Sequence, residues 1–152
     1  ADGVLRAPNY RAVEDGFRVM ARVVAAAGPG RGRRAIVQTA DPAHPAIDAL
    51  RRGDPAGLIG GEIERRAALG FPPHGELLVV EMEGAPAGAD RSLREAVADR
   101  GAVLGPADRD GRVRWLVQGR DLRPARLAMR GLVQDWRDAG ARVRIDADPI
   151  DL

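Results

Sequence analysis

The sequence contains no cysteine, and aromatic residues make up only 3% of its 152 positions. Without cysteine the chain can form no disulfide, no cysteine-based zinc site and no thiol nucleophile. Because aromatic residues are scarce, we expect the core to be built from Val, Leu, Ile and Ala. No apolar run approaches the roughly eighteen residues of a transmembrane helix, and no signal-peptide pattern opens the chain. We therefore expect a cytoplasmic protein without a membrane partner.

Lysine is absent as well, so all 24 basic residues are arginine. The 22 acidic residues nearly balance them, and the net charge is only +2. Such a chain is not uniformly basic, as many nucleic-acid-binding domains are. Any surface for nucleic acid must come from the way in which the arginines are distributed.

Few residues are candidates for catalysis or for metal binding. The two histidines, His44 and His74, lie thirty residues apart and have no second type of ligand at a metal-binding spacing. Asp146 and Asp148 share one face of a predicted strand, but solvated carboxylates at a sheet edge are the simpler interpretation. No serine, histidine and aspartate form a plausible nucleophile set. We therefore predict no catalytic residue, no metal site and no cofactor within this chain.

The periodicity of apolar residues predicts an α+β protein in two parts. Residues 1–53 indicate a helix, a short strand over 35–37 and a second helix; residues 54–73 indicate a helical connection with a proline-rich end. Residues 74–152 show the order β-α-β-β-α-β, which is typical of a ferredoxin-like domain. Such a domain hosts many unrelated functions, so the function has to be argued from its surface.

Arginines alternate with apolar residues in two of the predicted strands. Arg112 and Arg114 point away from the core in the third strand, and Arg142 and Arg144 do the same in the last. Arg120 and Arg123 follow the third strand. One face of the sheet could present guanidinium groups to phosphates, or nearby carboxylates such as Asp108, Asp110, Asp121 and Asp146 could neutralise them. The pattern leaves both interpretations open.

Residues 28–34 read G-P-G-R-G-R-R, a composition that is common in phosphate-binding loops. A phosphate-binding loop leads from a strand into a helix, because the phosphate binds free N–H groups at the N-terminus of that helix. Here a predicted helix precedes the loop, so the loop lies at a helix C-terminus, where carbonyl groups point outwards. The stretch is therefore not predicted to bind phosphate by itself.

Four stretches together resemble the C-terminal part of the PriA family of primosomal replication-restart proteins. They occur in the family's order and spacing: AIVQTADPAHPAI (35–47), EIERRAALGFPPHGEL (62–77), RVRWLVQG (112–119) and RIDADPIDL (144–152). The resemblance implies that residues 1–53 end a second helicase lobe, that 54–73 connect, and that 74–152 form the family's C-terminal domain. It also implies that the ATP loop and the zinc-binding cysteines belong to other parts of the full-length protein.

The resemblance gives the glycine-arginine stretch a different meaning. Members of the family usually carry a last helicase motif there, in which two arginines reach the phosphates of ATP. The corresponding positions in this sequence are Ala26 and Pro29, which cannot donate such hydrogen bonds. Arg22 and Arg31 are out of register, although Arg31 could substitute if the loop shifted. The departure predicts an impaired ATPase.

The function implied by the resemblance is binding of branched DNA at stalled forks, in contact with single-stranded-DNA-binding protein and with primosome or helicase-loading proteins. From the residues themselves, Arg112, Arg114, Arg120 and Arg123 are the predicted phosphate contacts. Two alternatives stay open. The chain could belong to an active ATP-dependent 3′-to-5′ DNA helicase, or it could be a ferredoxin-like module for ligand binding or oligomerisation without a role in nucleic-acid binding.

Overall fold

The computed structural model describes residues 1–30 and 32–149, except for the side chain of Arg109. The chain forms two compact units, and the division between them falls between Arg65 and Arg66. None of the helices in the described part is both long and apolar enough to cross a bilayer. Each of the two units has its own hydrophobic core.

The first unit is helical, and its helices are α1 (Asp2–Leu5), α2 (Ala12–Ala27), α3 (Pro45–Arg52) and the first part of α4 (Pro55–Leu69). Proline occupies the first turn of both α3 and α4, where its missing N–H costs nothing. At the start of α4 the Asp54 carboxylate accepts a hydrogen bond from the Gly57 N–H at 2.9 Å, as an N-cap side chain does. The local sequence therefore accounts for where both helices begin.

A small aliphatic core holds these helices together. Met20 of α2 is buried with Leu5, Ala46, Ala49 and Leu58. Two further apolar side chains of α2, Val13 and Phe17, pack against this cluster. Val24, near the end of α2, is exposed instead. The cluster therefore covers only the first part of α2.

The strand predicted over residues 35–37 is wrong, because the structure shows no regular element between Gly32 and Ala40. Ile36 is 89% exposed, whereas Val37 packs against the helical core. A strand needs a neighbouring strand to pair its N–H and C=O groups, and the described part of this unit contains none. The segment is held instead by α1, since the Asp2 carboxylate accepts a hydrogen bond from the Ala40 N–H at 2.9 Å.

The second unit is a four-stranded antiparallel sheet with two helices. Its elements are β1 (Glu76–Glu83), α5 (Ala89–Val97), β2 (Ala102–Arg109), β3 (Arg112–Gly119), α6 (Arg123–Asp138) and β4 (Arg142–Ala147). The strands lie in the order β2-β3-β1-β4, and every neighbouring pair is antiparallel. This order and the β-α-β-β-α-β sequence confirm the predicted ferredoxin-like α+β architecture.

One face of this sheet packs against α5 and α6 to form the main core. β1 contributes Leu78, Val80 and Met82 to it, and β3 contributes Trp115 and Val117, all at most 2% exposed. From the helices, the buried side chains include Leu93, Val97, Leu122, Met129 and Trp136. Because side chains alternate along a strand, the residues between these core positions lie on the opposite face of the sheet.

Asp90 links α5 to the sheet and does not cap the helix. The N-cap position is Gly88, and no side chain caps the helix there. The Asp90 carboxylate instead accepts hydrogen bonds from the Arg94 Nε at 3.0 Å and from the indole N–H of Trp115 at 2.9 Å. The bond from Arg94, and next the one from Trp115, lower the pKa of Asp90 below its ordinary value of 3.8.

We predict that Asp90→Asn lowers the melting temperature more at pH 7 than at pH 2. A carboxyl group whose pKa is lowered by folding stabilises the folded state above its unfolded pKa of 3.8, and this contribution is lost as the pH falls through the lower folded pKa. Asparagine keeps an acceptor for Trp115, so the change removes mainly the charge. Thermal unfolding between pH 2 and pH 7, followed by circular dichroism, measures the effect.

Asp135→Asn, at an exposed position of α6, is the matched control for this change. We expect it to move the melting temperature by the same small amount at every pH. An equal loss of stability at pH 2 and pH 7 for Asp90→Asn would contradict the electrostatic role of Asp90.

Candidate functional site

The open face of the sheet, opposite the helices, carries six charged side chains in two rows. Each row runs from β3 across β1 to β4, and the register pairs Arg112, Glu83 and Arg142 in the first row and Arg114, Glu81 and Arg144 in the second. In each row a glutamate of the central strand lies between two arginines. We refer to these six residues as the arginine–glutamate rows.

Ion pairs connect the rows to each other. The Glu81 carboxylate lies 3.2 Å from the Arg112 guanidinium and 3.3 Å from that of Arg114. Glu83 lies 3.4 Å from Arg142. The fourth guanidinium, that of Arg144, is paired within β4 to Asp146 at 3.4 Å. The six residues of the rows and Asp146 thus comprise four guanidinium groups and three carboxylates, so the excess positive charge of this set is small.

The structure thus contains both predicted features of this face, the shared guanidinium groups and the carboxylates that neutralise them. The arginines do share a face, as their alternation in the sequence predicts. The carboxylates that pair with them come mainly from Glu81 and Glu83, which were not among the predicted neutralising carboxylates, and in one case from Asp146, which was. The signal was present as the alternation E-M-E in residues 81–83. It becomes informative only when the strand order places β1 between β3 and β4.

Arg120 and Arg123 lie apart from the rows. They follow the end of β3 that is opposite Arg112, so about 26 Å of extended chain separates Arg112 from Arg120. Arg123 forms a bidentate pair with Asp121, whose oxygens lie 3.0 and 2.9 Å from its Nε and Nη2. This pairing raises the pKa of Arg123 and lowers that of Asp121. The four predicted phosphate contacts therefore do not form one patch.

An apolar groove of about 410 Å³ adjoins the arginine–glutamate rows on the open face. Val79 of β1, Leu116 of β3, and Leu104 and Ala107 of β2 contribute apolar side chains to its lining. Asp108 and Arg114 also line it and are its charged members. A register shift between Leu104 and Ala107 accompanies it. No local pattern in the sequence indicates this groove, because Leu104, Leu116 and Val79 come together only through the pairing of three strands.

Gly105 shapes one wall of the groove. Its φ of +106° lies in the region that favours glycine, and a Cβ at this position would lie 2.8 Å from the backbone oxygen of Arg114. Any larger residue would therefore have to push β2 away from β3 at the register shift. Glycine at this position keeps the two strands close beside the groove.

The loop that follows α2 lies at a helix C-terminus, as predicted. Ala26 and Pro29 are both exposed, and neither provides a guanidinium group. The sequence analysis did not consider Arg33, whose guanidinium donates to the Ala27 carbonyl at 3.4 Å. Arg31 lies outside the described residues. In the described part of the loop, the side chain of Arg33 is thus directed towards the end of α2.

No group of three or more His, Cys, Asp or Glu residues within the described ranges is arranged to hold a metal ion. Asp146, one of the two carboxylates considered at the sequence level, is paired with Arg144. The next carboxylate, Asp148, follows the end of β4 at a positive φ of 54°.

Comparison with known proteins identifies relatives over the whole chain. The model of the primosomal protein N C-terminal domain matches residues 67–150. A probable replication restart protein PriA of Deinococcus radiodurans is 37% identical over 98% of this chain and 18% of its own length. The replication restart protein PriA of Treponema pallidum is 30% identical over 100% of this chain and 26% of its own length.

A further relative matches a shorter stretch. The replication restart protein PriA of Synechocystis sp. is 35% identical over 55% of this chain, which is 10% of the relative. The chain thus spans between about a tenth and about a quarter of the length of these relatives.

We predict that Glu81→Gln combined with Glu83→Gln strengthens the binding of a polyanion by about threefold to tenfold at low salt. The change removes two carboxylates from the rows and keeps side chains of the same shape. Affinity for a single-stranded oligonucleotide, measured by fluorescence anisotropy, reports the effect. Asp135→Gln combined with Asp138→Gln, on α6, is the matched control for net charge. An equal increase in both variants would contradict a specific role of the rows.

Proposed function

The chain belongs to the PriA family, and on that premise we propose that it binds branched DNA at stalled replication forks through the open face of its sheet. The parent protein would then act in replication restart and primosome assembly. The observation that carries this proposal is the convergence of Arg112, Arg114, Arg142 and Arg144 on one solvent-facing surface. Guanidinium groups suit phosphate because they can donate two parallel hydrogen bonds to its oxygens.

The ion pairs of Arg142 and Arg144 do not prevent such contacts, whereas the side chains of the Glu81–Arg114 pair are only 18% and 24% exposed. Exposed ion pairs contribute only about 0–1 kcal/mol each, because water and salt screen them. The arginines at the outer ends of the rows keep most of their surface in water: the side chains of Arg142 and Arg144 are 83% and 73% exposed. A phosphate can therefore approach these groups without first breaking a buried interaction.

The glutamates make the surface dependent on the ligand's charge density. A phosphate that contacts Arg112 or Arg114 has to compete with Glu81. A single anion gains little free energy when it replaces Glu81 beside these guanidinium groups. A DNA strand contacts several guanidinium groups at once and releases its condensed counterions, which favours binding at low salt. This surface would thus favour a nucleic acid over an isolated phosphate.

The partners and compartment follow from the same family membership. We propose that the full-length protein works in the cytoplasm with single-stranded-DNA-binding protein and with primosome or helicase-loading proteins. ATP and zinc would be bound by parts of the parent protein that this chain does not contain. No cofactor and no catalytic residue is assigned to the chain itself.

The ATPase of the parent protein would be impaired. Ala26 and Pro29 stand where the family's motif usually has two arginines, and the nearby Arg33 guanidinium is engaged with the Ala27 carbonyl. An arginine that stabilises the transferred phosphoryl group is worth about 10³–10⁵ in turnover. A protein that lacks both would bind forks while hydrolysing ATP very slowly.

We predict that Arg112→Ala combined with Arg114→Ala weakens the binding of fork DNA and flattens its salt dependence. Each lost phosphate contact lowers the slope of log affinity against log salt by about 0.7–0.9. Electrophoretic mobility shifts with a synthetic fork between about 50 and 200 mM salt measure that slope. Arg130→Ala combined with Arg137→Ala, at exposed positions of α6, removes the same charge elsewhere. An unchanged slope in the Arg112/Arg114 variant would contradict the proposed interface.

We predict that fork DNA does not stimulate ATP hydrolysis by the full-length protein, and that Ala26→Arg combined with Pro29→Arg raises turnover. The substitutions place guanidinium groups at the two positions where the family's motif has them. Steady-state phosphate release with and without fork DNA measures both effects. Ala25→Arg adds a charge at an exposed neighbouring position and should change nothing. Stimulated turnover of the unmodified protein at about 1–10³ s⁻¹, the ordinary range for enzymes, would refute an impaired motor.

A further inference from the structure

We propose that the apolar groove beside the arginine–glutamate rows receives the base of an unpaired nucleotide, so that this face of the sheet binds single-stranded DNA in preference to duplex. The proposal rests on the proposed DNA binding and assigns to it the class of nucleic acid. It concerns Val79, Leu104, Ala107 and Leu116, which together present an aliphatic surface beside Arg114.

The groove lies directly beside the arginine–glutamate rows and shares strands β1 and β3 with them. Leu116 follows Arg114 by two residues on β3, and Val79 precedes Glu81 by two residues on β1. Side chains two residues apart on one strand face are about 7 Å from each other. A nucleotide whose phosphate contacts a guanidinium of the rows can therefore place its base over the groove. The rows and the groove together match the two ends of a nucleotide, one charged and one apolar and flat.

The groove is accessible from solvent. Leu104 is 52% exposed on β2, whereas Val79 at the bottom of the groove is 6% exposed. The groove is thus an accessible depression with an apolar floor. Its volume of about 410 Å³ lies within the range of roughly 300–1,000 Å³ that is typical of small-ligand sites.

The chemistry of the groove lining favours unpaired bases. The bases of a duplex are stacked inside the helix and present mainly polar edges, so an aliphatic groove cannot reach their faces. Unpaired bases expose flat apolar faces, and proteins that bind single strands combine a positive track with surfaces on which bases pack. Trp115 also contributes to the lining, but only 2% of it is exposed because its side chain packs in the main core, so we expect the contact to add less than aromatic stacking does.

The test compares two single strands of equal length, one with ordinary bases and one in which all bases are removed from the sugars. Both carry the same phosphates, so the rows contact them equally. We expect the 152-residue chain to bind the ordinary strand about threefold to tenfold more tightly, and Leu104→Ser to abolish most of that difference. Leu127→Ser, at a 60% exposed leucine of α6, should leave the difference unchanged.

A second variant distinguishes a loss of base binding from a loss of folding. Leu104→Trp adds an aromatic surface to the rim of the groove and should increase the preference for the ordinary strand. Equal affinity of the unmodified chain for the two strands would overturn the inference, and so would a strand preference that neither Leu104 variant changes.

The experiment distinguishes failure of this inference from failure of the proposed DNA binding. If both strands bind with a salt slope that depends on Arg112 and Arg114, but with equal affinity, then the rows bind DNA and the groove does not hold bases. If neither strand binds in an arginine-dependent way, the proposed function fails with the inference. If an apolar peptide binds in a Leu104-dependent way while bases have no effect, the groove serves a protein and the inference is wrong.

Discussion

The position of β1 between β3 and β4 is the constraint on which the properties of the open face depend. A central strand shares both of its edges with neighbours, so each outward side chain of β1 contacts side chains of two other strands. Glu81 and Glu83 therefore each lie between two arginines that are distant in the sequence. If β1 were an edge strand, half of these contacts would be lost, and the guanidinium groups would repel one another across the face.

The same strand forms the base of the main core on the opposite face. Leu78, Val80 and Met82 are completely buried against the helices, and their alternation with Val79, Glu81 and Glu83 leaves no freedom of register. A shift by one residue would bury the glutamates and expose the core side chains. The packing of the core thus determines the pairing that aligns the charged rows, and it also brings Val79 beside Leu116 and Leu104 in the groove. The main core and the proposed DNA-binding surface therefore depend on the same strand register of β1.

Asp90 shows how a polar side chain stabilises the contact between the two layers. Its carboxylate receives the Trp115 indole N–H from the sheet and the Arg94 guanidinium from its own helix. Arg94 in turn donates to the carbonyls of Val103 and Gly105 at 2.8 and 2.7 Å. Strands β2 and β3 are therefore both connected to α5 close to the groove. This network restrains the register shift that gives the groove its shape.

The sequence by itself determined the secondary structure of the second unit and its fold class, because apolar alternation and helical stripes are local properties of the chain. It also placed the arginines on the outward face of β3 and β4, and it located Ala26 and Pro29 where the resemblance implies arginines. Only the tertiary structure decided which carboxylates pair with those arginines, that Arg120 and Arg123 lie away from them, and that an apolar groove adjoins the rows. It also showed that residues 35–37 form no strand. These features depend on strand order and on the presence of a pairing neighbour, which join residues far apart in the chain and leave no periodic signal within it.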